Sequence, residues 1–150
     1  MEPITHGLIA VTKKYISAFA SKVSDLSLDR YHYILVVIEN HHEKLTQKAL
    51  GEILIIDKSY LVNILNYLEE KGYIIREKNI NDRREQLIKL TEQAKTDLPS
   101  IKLAIQELNQ KSLQNLTPKQ IETFNEVLHI IQNNLADSAP SEIMLDYKKL

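Results

Sequence analysis

The sequence predicts a mainly α chain with a small β-wing, in which a winged helix-turn-helix core lies between N- and C-terminal helices that form a dimerisation arm. Three observations carry that expectation. Two helical patterns adjoin across a short turn between Leu45 and Gly72. The apolar period then falls from 3.6 toward 2 between Tyr73 and Leu90. Apolar helices at both ends carry more apolar surface than so small a core can cover.

The elements follow in order. Residues 3–20 read as a first helix with Leu8, Val11, Tyr15, Ala18 and Phe19 on one side, a face widened by Ile4, Ile9 and Ile16. After a polar break at 24–27, Ser27 is placed to cap a second helix whose inner stripe is Tyr31, Ile34, Leu35 and Ile38. Thr46 can cap a third, with Leu50, Ile53 and Leu54 inward and an end near Ile55. Asp57 caps a fourth over 58–71, where its carboxylate also suits the positive helix end, and Gly72 stops it.

In that fourth helix Leu61, Ile64, Leu65 and Leu68 form one buried stripe, and Ser59, Val62, Asn63 and Asn66 lie opposite. Two helices joined by a tight turn, the second apolar inside and amide-bearing outside, suit a reader whose second helix enters the major groove. Asn63 and Asn66 carry the donor and acceptor that read adenine in bidentate fashion. Residues 73–90 then form a hairpin with a polar tip at 78–84. At its end Arg83 and Arg84 reach for a phosphate or a narrow minor groove.

Thr91 opens a long helix to about Lys111 with Leu98, Ile101, Ile105 and Leu108 inward, and Pro99 inside it predicts a bend. Thr117-Pro118-Lys119-Gln120 is a capping box with proline at the first helical position. The last helix runs to about Asn134 with Ile121, Phe124, Val127, Leu128 and Ile131 facing inward. The division is therefore a dimerisation helix at 1–22, a reading lobe at 27–91, dimerisation helices at 92–136 and a tail at 137–150 pinned only by Ile143, Met144 and Tyr147. A twofold dimer would set two reading helices about 34 Å apart and call for a near-palindromic target.

Composition excludes several other classes. At 150 residues, 43% apolar and 26% charged, the chain has ordinary soluble composition and a net charge of −1. Residues 44–84 hold eight basic and six acidic side chains, a slight positive bias, so affinity for a polyanion would rest on placement and on doubling in a dimer. Cysteine is absent, which removes thiolate and disulfide chemistry. No signal pattern or apolar run of about 18 residues occurs, so a cytoplasmic location and no membrane partner are expected.

Three glycines, Gly7, Gly51 and Gly72, make no phosphate loop or nucleophile elbow, and Glu69 and Glu70 sit side by side on a helix end, so no catalysis is expected. His41 and His42 point about 100° apart on a helix, and His6, His32 and His129 are scattered. Only a fold gathering His32, His42 and Glu39 would hold a metal, so no metal or other cofactor is expected.

Leu68-Glu69-Glu70-Lys71-Gly72-Tyr73-Ile74, Asn81-Asp82-Arg83-Arg84 and Leu90-Thr91-Glu92-Gln93-Ala94 together resemble the signature of MarR-type winged-helix regulators, in that family's order and spacing. The resemblance extends over the chain to about Asn134. It implies a homodimer on double-stranded DNA, more often a repressor, with Asp82 bracing Arg84 and Arg84 inserted into the minor groove. It also implies a small aromatic or amphipathic effector between reader and arm, for which Tyr15, Tyr31, Tyr33 and His6 are candidate lining residues. Oxidation sensing of the kind some relatives use is removed by the lack of cysteine.

The chain departs from the pattern at Asn66 and Tyr67, where many members carry basic residues, and Lys58 is the only cation in the first two turns of the reading helix. That shifts the burden of binding to Arg83, Arg84 and Lys44. Tyr60 and Tyr67, seven apart, either touch phosphates or pack on a neighbouring helix. The alternative class is a winged-helix adaptor that binds protein and not DNA.

Overall fold

A computed structural model describes residues 3–41 and 44–138. His42 of the conceivable metal set and the tail residues Ile143, Met144 and Tyr147 lie outside the described residues. The order is α1 (Thr5–Lys22), α2 (His32–Asn40), α3 (Gln47–Leu54), α4 (Lys58–Glu70), β1 (Ile74–Lys78), β2 (Gln86–Leu90), α5 (Glu92–Ser112) and α6 (Pro118–Asn134). The fold is therefore mostly helical, with a two-stranded antiparallel wing.

Local chemistry sets most of these boundaries. Thr46 Oγ1 accepts from the Ala49 amide at 3.1 Å, and Asp57 Oδ1 accepts from the Tyr60 amide at 2.9 Å, so each satisfies a donor that the first helical turn leaves open. Thr91 does the same for Ala94, and Thr117 with Gln120 forms a complete capping box. Gly72, at φ +77°, turns α4 into the wing through a conformation that a Cβ would strain. Helix α5 runs unbroken through the exposed Pro99.

The second helix begins later than the Ser27 cap predicts. Residues 26–31 stay non-helical, and α2 starts at His32 behind Tyr31, whose backbone is left-handed at φ +66°. Burial decides the matter. Leu28, Tyr31 and His32 all enter the core, and the left-handed turn aims them there at a steric cost of about 1–2 kcal/mol.

The core joins α2, α4, the wing and α5. Leu35, Leu50, Ile64, Leu65, Leu68 and Ile88 are fully enclosed, with Ile74, Leu98, Ile101 and Phe19 around them. The stripe predicted on α4 is buried at every position. On α3 only Leu50 is fully buried; Ile53 is exposed because that short helix turns one narrow edge to the core. Leu45 adds an unforeseen third backbone segment to the wing, its carbonyl accepting from the Ile88 amide at 2.9 Å.

Helices α1 and α6 depart from the inward faces that their spacing predicts. Tyr15, Ala18 and Phe19 pack on the lobe, with Tyr15 Oη donating to Asn109 Oδ1 at 2.6 Å. Ile4, Leu8, Ile9 and Val11 in the N-terminal half of α1 stand exposed. No residue of α6 is buried, and Phe124, Val127 and Ile130 face solvent while Ile121, Leu128 and Ile131 are only half covered. Their apolar stripes are real, but the described residues do not supply the surface to cover them.

Among the described residues no helix is long and apolar enough to cross a membrane, and no cluster of His, Asp or Glu could hold a metal ion. His32 is buried against Phe19 with one ring nitrogen 2.7 Å from the Leu28 carbonyl, and Glu39 pairs with Lys102. Burial lowers the His32 pKa from its ordinary value, so the fold holds the ring neutral. In the unfolded chain the ring takes up a proton near pH 6.5 that the native state refuses. The stabilisation is thus complete above that pH and is lost as pH falls through 6.5 toward the native value, at no more than about 1.4 kcal/mol per pH unit. In urea titrations between about pH 7 and pH 5, His32→Gln should lose stability less steeply than the parent; equal slopes would remove His32 as the cause.

Candidate nucleic-acid interface

Helices α3 and α4 meet at a turn in which Ile55, a β-branched residue, is held left-handed at φ +54° and stays 62% exposed. Its amide donates to the Glu52 carbonyl, and the Ile56 amide to Gly51. The Cβ of any residue at Gly51 would meet Leu61 at 3.3 Å, so a bare backbone there lets the two helices approach. This turn fixes the direction in which α4 projects.

The outer face of α4 carries Ser59, Asn63 and Asn66 in the open and Val62 half-covered. Two of these polar groups already have partners. Ser59 Oγ donates to Asp57 Oδ1 at 2.9 Å, leaving its oxygen lone pairs outward. Asn66 Oδ1 accepts from Arg76 Nη2 at 2.7 Å, so its amino group is the part that remains for a base edge while Arg76 stays in place. Arg76 is itself anchored by Glu69, whose carboxyl its guanidinium holds below the usual range. Asn63 is exposed.

Tyr67 is drawn inward instead of toward a phosphate. Its hydroxyl donates to Asp29, its ring lies 3.9 Å beneath the Arg30 guanidinium, and its edge meets Tyr31 at 5.5 Å. Burial and then Asp29 raise its pKa, while the same hydrogen bond lowers that of Asp29. Packing on the neighbouring segment is what this residue does.

The wing tip is an ordered turn. The Asn79 amide donates to the Glu85 carbonyl at 3.0 Å, and the Glu85 amide returns to the Asp82 carbonyl at 2.9 Å. Asp82 Oδ1 accepts from the Arg84 amide at 3.0 Å and lies 3.6 Å from Arg84 Nε. Asp82 thus holds the backbone that presents Arg84, whose side chain is 95% exposed.

Between this tip and the α3–α4 turn opens a cleft of about 970 Å³. Lys58, Arg83 and Arg84, three residues singled out in the sequence, line it together. Lys48 and Lys78 line it as well, beside Thr46, Gln47 and Gln86, and sequence reasoning passed over these. Only the place of Lys48 just after the Thr46 cap and of Lys78 where the hairpin's polar tip begins marks them in the sequence. Among the described residues Lys48, Lys58, Lys78 and Arg83 make no ion pair, so four unneutralised cations and Arg84 face one space. Glu52, Asp57 and Glu85 share its rim.

Of the candidate effector residues, Tyr15 and Tyr33 are neighbours, and Tyr15 has its pKa raised by burial and then by Tyr33. Tyr31 is in the core, and His6 lies exposed in the first turn of α1. None of the four lines the cleft.

The MarR family model matches residues 24–85, the segment that holds the two-helix turn, α4 and most of the wing. The chain is 27% identical over 128 residues, 85% of each protein, to the HTH-type transcriptional regulator SarZ of Staphylococcus aureus strain MRSA252. With SarZ of strain USA300 it shares 32% over 100 residues, which is 67% of this chain and 65% of that one. The chain belongs to the MarR family.

Solved structures agree with that assignment. A mutant of MarR from E. coli, complexed with operator DNA, superposes at a TM-score of 0.75 with 25% identity, covering 86% of this chain and 93% of that one. A MarR-family regulator from Listeria monocytogenes, complexed with a 26mer DNA, shares the fold at 0.79 with 24% identity over 91% of each chain. Membership makes this MarR-type chain a transcriptional regulator and not an enzyme. One local test of the site's construction follows: Asp82→Ala should speed hydrogen exchange at the Arg84 amide with little change in global stability, and NMR exchange rates unaltered at Arg84 would show that Asp82 does not order the tip.

Proposed function

We propose that this protein is a homodimeric repressor that occupies a near-palindromic operator, with α4 of each protomer in the major groove and each wing at the adjacent minor groove. The single observation that carries the reading is the cleft where Lys48, Lys58, Lys78, Arg83 and Arg84 converge between reading helix and wing. A duplex strand passing from major to minor groove presents its phosphates along such a space. Ser59, Val62, Asn63 and the amino group of Asn66 are assigned to base edges, Lys58 and Arg83 to phosphates, and Arg84 to the minor groove. That a MarR mutant of the same fold was solved in complex with operator DNA supports duplex DNA as the partner.

The dimer reading rests on the open apolar faces of α1 and α6, where Ile4, Val11, Phe124 and Ile130 each expose half or more of their area. A second copy offers identical faces and closes the contact by twofold symmetry. On this reading residues 1–22 and 92–136 are the arm and 27–91 the lobe, and a cytoplasmic location follows from work on operators. A small aromatic or amphipathic effector would act by preferring one spacing of the two readers over the other.

Selection of bound duplexes from a randomised pool, repeated at two salt concentrations, is the direct test. A palindrome with half-sites about one helical turn apart, binding less tightly as salt rises, is the expected product. Failure to enrich any sequence under all conditions would favour the protein-binding adaptor. On the selected duplex, Arg84→Ala should weaken binding by about 1–3 kcal/mol without unfolding the chain; unchanged affinity would refute the wing assignment. Phe124→Asp should shift the sedimenting species toward monomer, and a variant that remains dimeric would exclude α6 from the interface.

A further inference from the structure

One side chain on the wing is left unused by the contacts assigned above. Ile80 is 95% exposed, the highest value among the exposed large apolar side chains of the described residues. It stands on a turn held from several sides. Besides the backbone pair between Asn79 and Glu85, the Asn79 side chain donates to Glu85 Oε2 at 3.0 Å and accepts from the Asn81 amide at 3.0 Å. Asn79 and Glu85 close the loop, so Ile80 is the first residue beyond the closing pair on one limb and Arg84 the first on the other.

We propose that Ile80 is the apolar half of the wing's contact with duplex DNA, packing on the deoxyribose wall of the minor groove that receives Arg84. The inference rests on the DNA-binding reading and adds to it a residue and a mode of recognition. The minor groove is about 6 Å wide, and its sides are sugar edges rich in C–H surface. A guanidinium is drawn to the negative potential of a narrow groove, but it does nothing for those sugar edges, whereas an aliphatic side chain beside it excludes water from them. Apolar side chains do enter minor grooves, where in other proteins they act as wedges between base steps; here the side chain packs on the groove wall instead.

The surroundings select DNA over a protein partner. A protein docking patch is a contiguous apolar area. Ile80 is ringed in sequence and in the turn by Asn79, Asn81, Asp82 and Arg83, all polar. A lone branched side chain among amides and cations matches a polyanion with apolar sugar walls. Because A·T tracts narrow the minor groove, the contact tightens there and slackens over G·C pairs. Ile80 thereby helps set preference at positions that α4 does not touch.

The test uses the full-length protein and the duplex enriched by the selection above, made in two forms with A·T or G·C pairs where the wing enters. Anisotropy titrations over a range of salt compare the parent with Ile80→Ser, Ile80→Val and Arg84→Ala. Ile80→Ser should bind the A·T form about tenfold less tightly, in line with the lost burial of a branched side chain. It should lose less on the G·C form, and Ile80→Val should keep most of the affinity. The dependence of log affinity on log salt should stay unchanged for Ile80→Ser and fall by about one per wing for Arg84→Ala.

If Arg84→Ala weakens binding while Ile80→Ser binds as the parent does, the Ile80 proposal is overturned and the DNA reading stands. If Ile80→Ser alters the salt slope, or lowers self-association in sedimentation, the residue acts through charge placement or a protein contact and the proposal is likewise overturned. A parent protein that enriches no duplex at all removes both.

Discussion

The corner at Gly72 and Tyr73 is the constraint on which helix α4 and the wing both depend. The Tyr73 amide donates to the Leu68 carbonyl at 2.9 Å, which closes α4, and its own carbonyl accepts from the Thr91 amide at 3.1 Å, which opens α5. Thr91 Oγ1 returns to the Gly72 carbonyl at 2.6 Å. The Tyr73 ring is almost wholly buried, and its hydroxyl donates to Asp97 Oδ2 at 2.6 Å from the second turn of α5. Burial, then that bond, raises the phenol's pKa. Helix α4, the wing and helix α5 therefore leave one point at fixed angles. A reader that depends on helix and wing reaching adjacent grooves needs that rigidity, because an error of a few degrees at the corner grows along both elements.

The charge distribution follows a similar economy. With a net charge of −1 the protein has no general field to draw it to a polyanion. Several cations are spent inside the fold: Arg76 on Glu69 and Asn66, Lys22 on Glu107, Lys102 on Glu39 and Arg30 on the Tyr67 ring. Those that remain unpaired around the cleft are concentrated by geometry, since the α3 start, the α4 start and the wing deliver one or two each. Surface pairs of this kind stabilise a fold only slightly. Their larger effect here is to decide which cations stay available.

Much of this architecture was legible because it is written in short-range chemistry. Thr46, Asp57, Thr91 and Thr117 each stand one residue before a helix and each accept a first-turn amide, and Gly72 marks a left-handed corner with the residue type that adopts it without strain. The family signature lies over the same corner and wing. What stayed hidden depends on contacts between segments distant in sequence. Ser27 has the chemistry of a cap, yet the burial of Leu28, Tyr31 and His32 overrides it and delays α2. Asn66 looks like a free reader until Arg76, ten residues on, takes its carbonyl. Lys48 and Lys78 belong to one cleft only after α3 and the hairpin are brought together.

Periodicity alone also fails to say whose surface covers an apolar stripe. The stripes of α4 and α6 have the same helical spacing, but among the described residues the first is buried and the second is open. The distinction carries a functional argument. If the open stripes are covered by a second copy, the corner at Tyr73 joins each reader rigidly to an interface, and the spacing of the two α4 helices becomes a property of the dimer contact and not of either lobe. A ligand that fits one packing of the arm better than another then changes operator affinity by its differential free energy and by no more than that. With few cations on α4 itself, each protomer of the proposed dimer would bind weakly alone, and occupancy would depend on both readers matching the duplex together. On that proposal a modest shift in spacing would be enough to release the protein, because it would remove the second contact and leave the first too weak to hold.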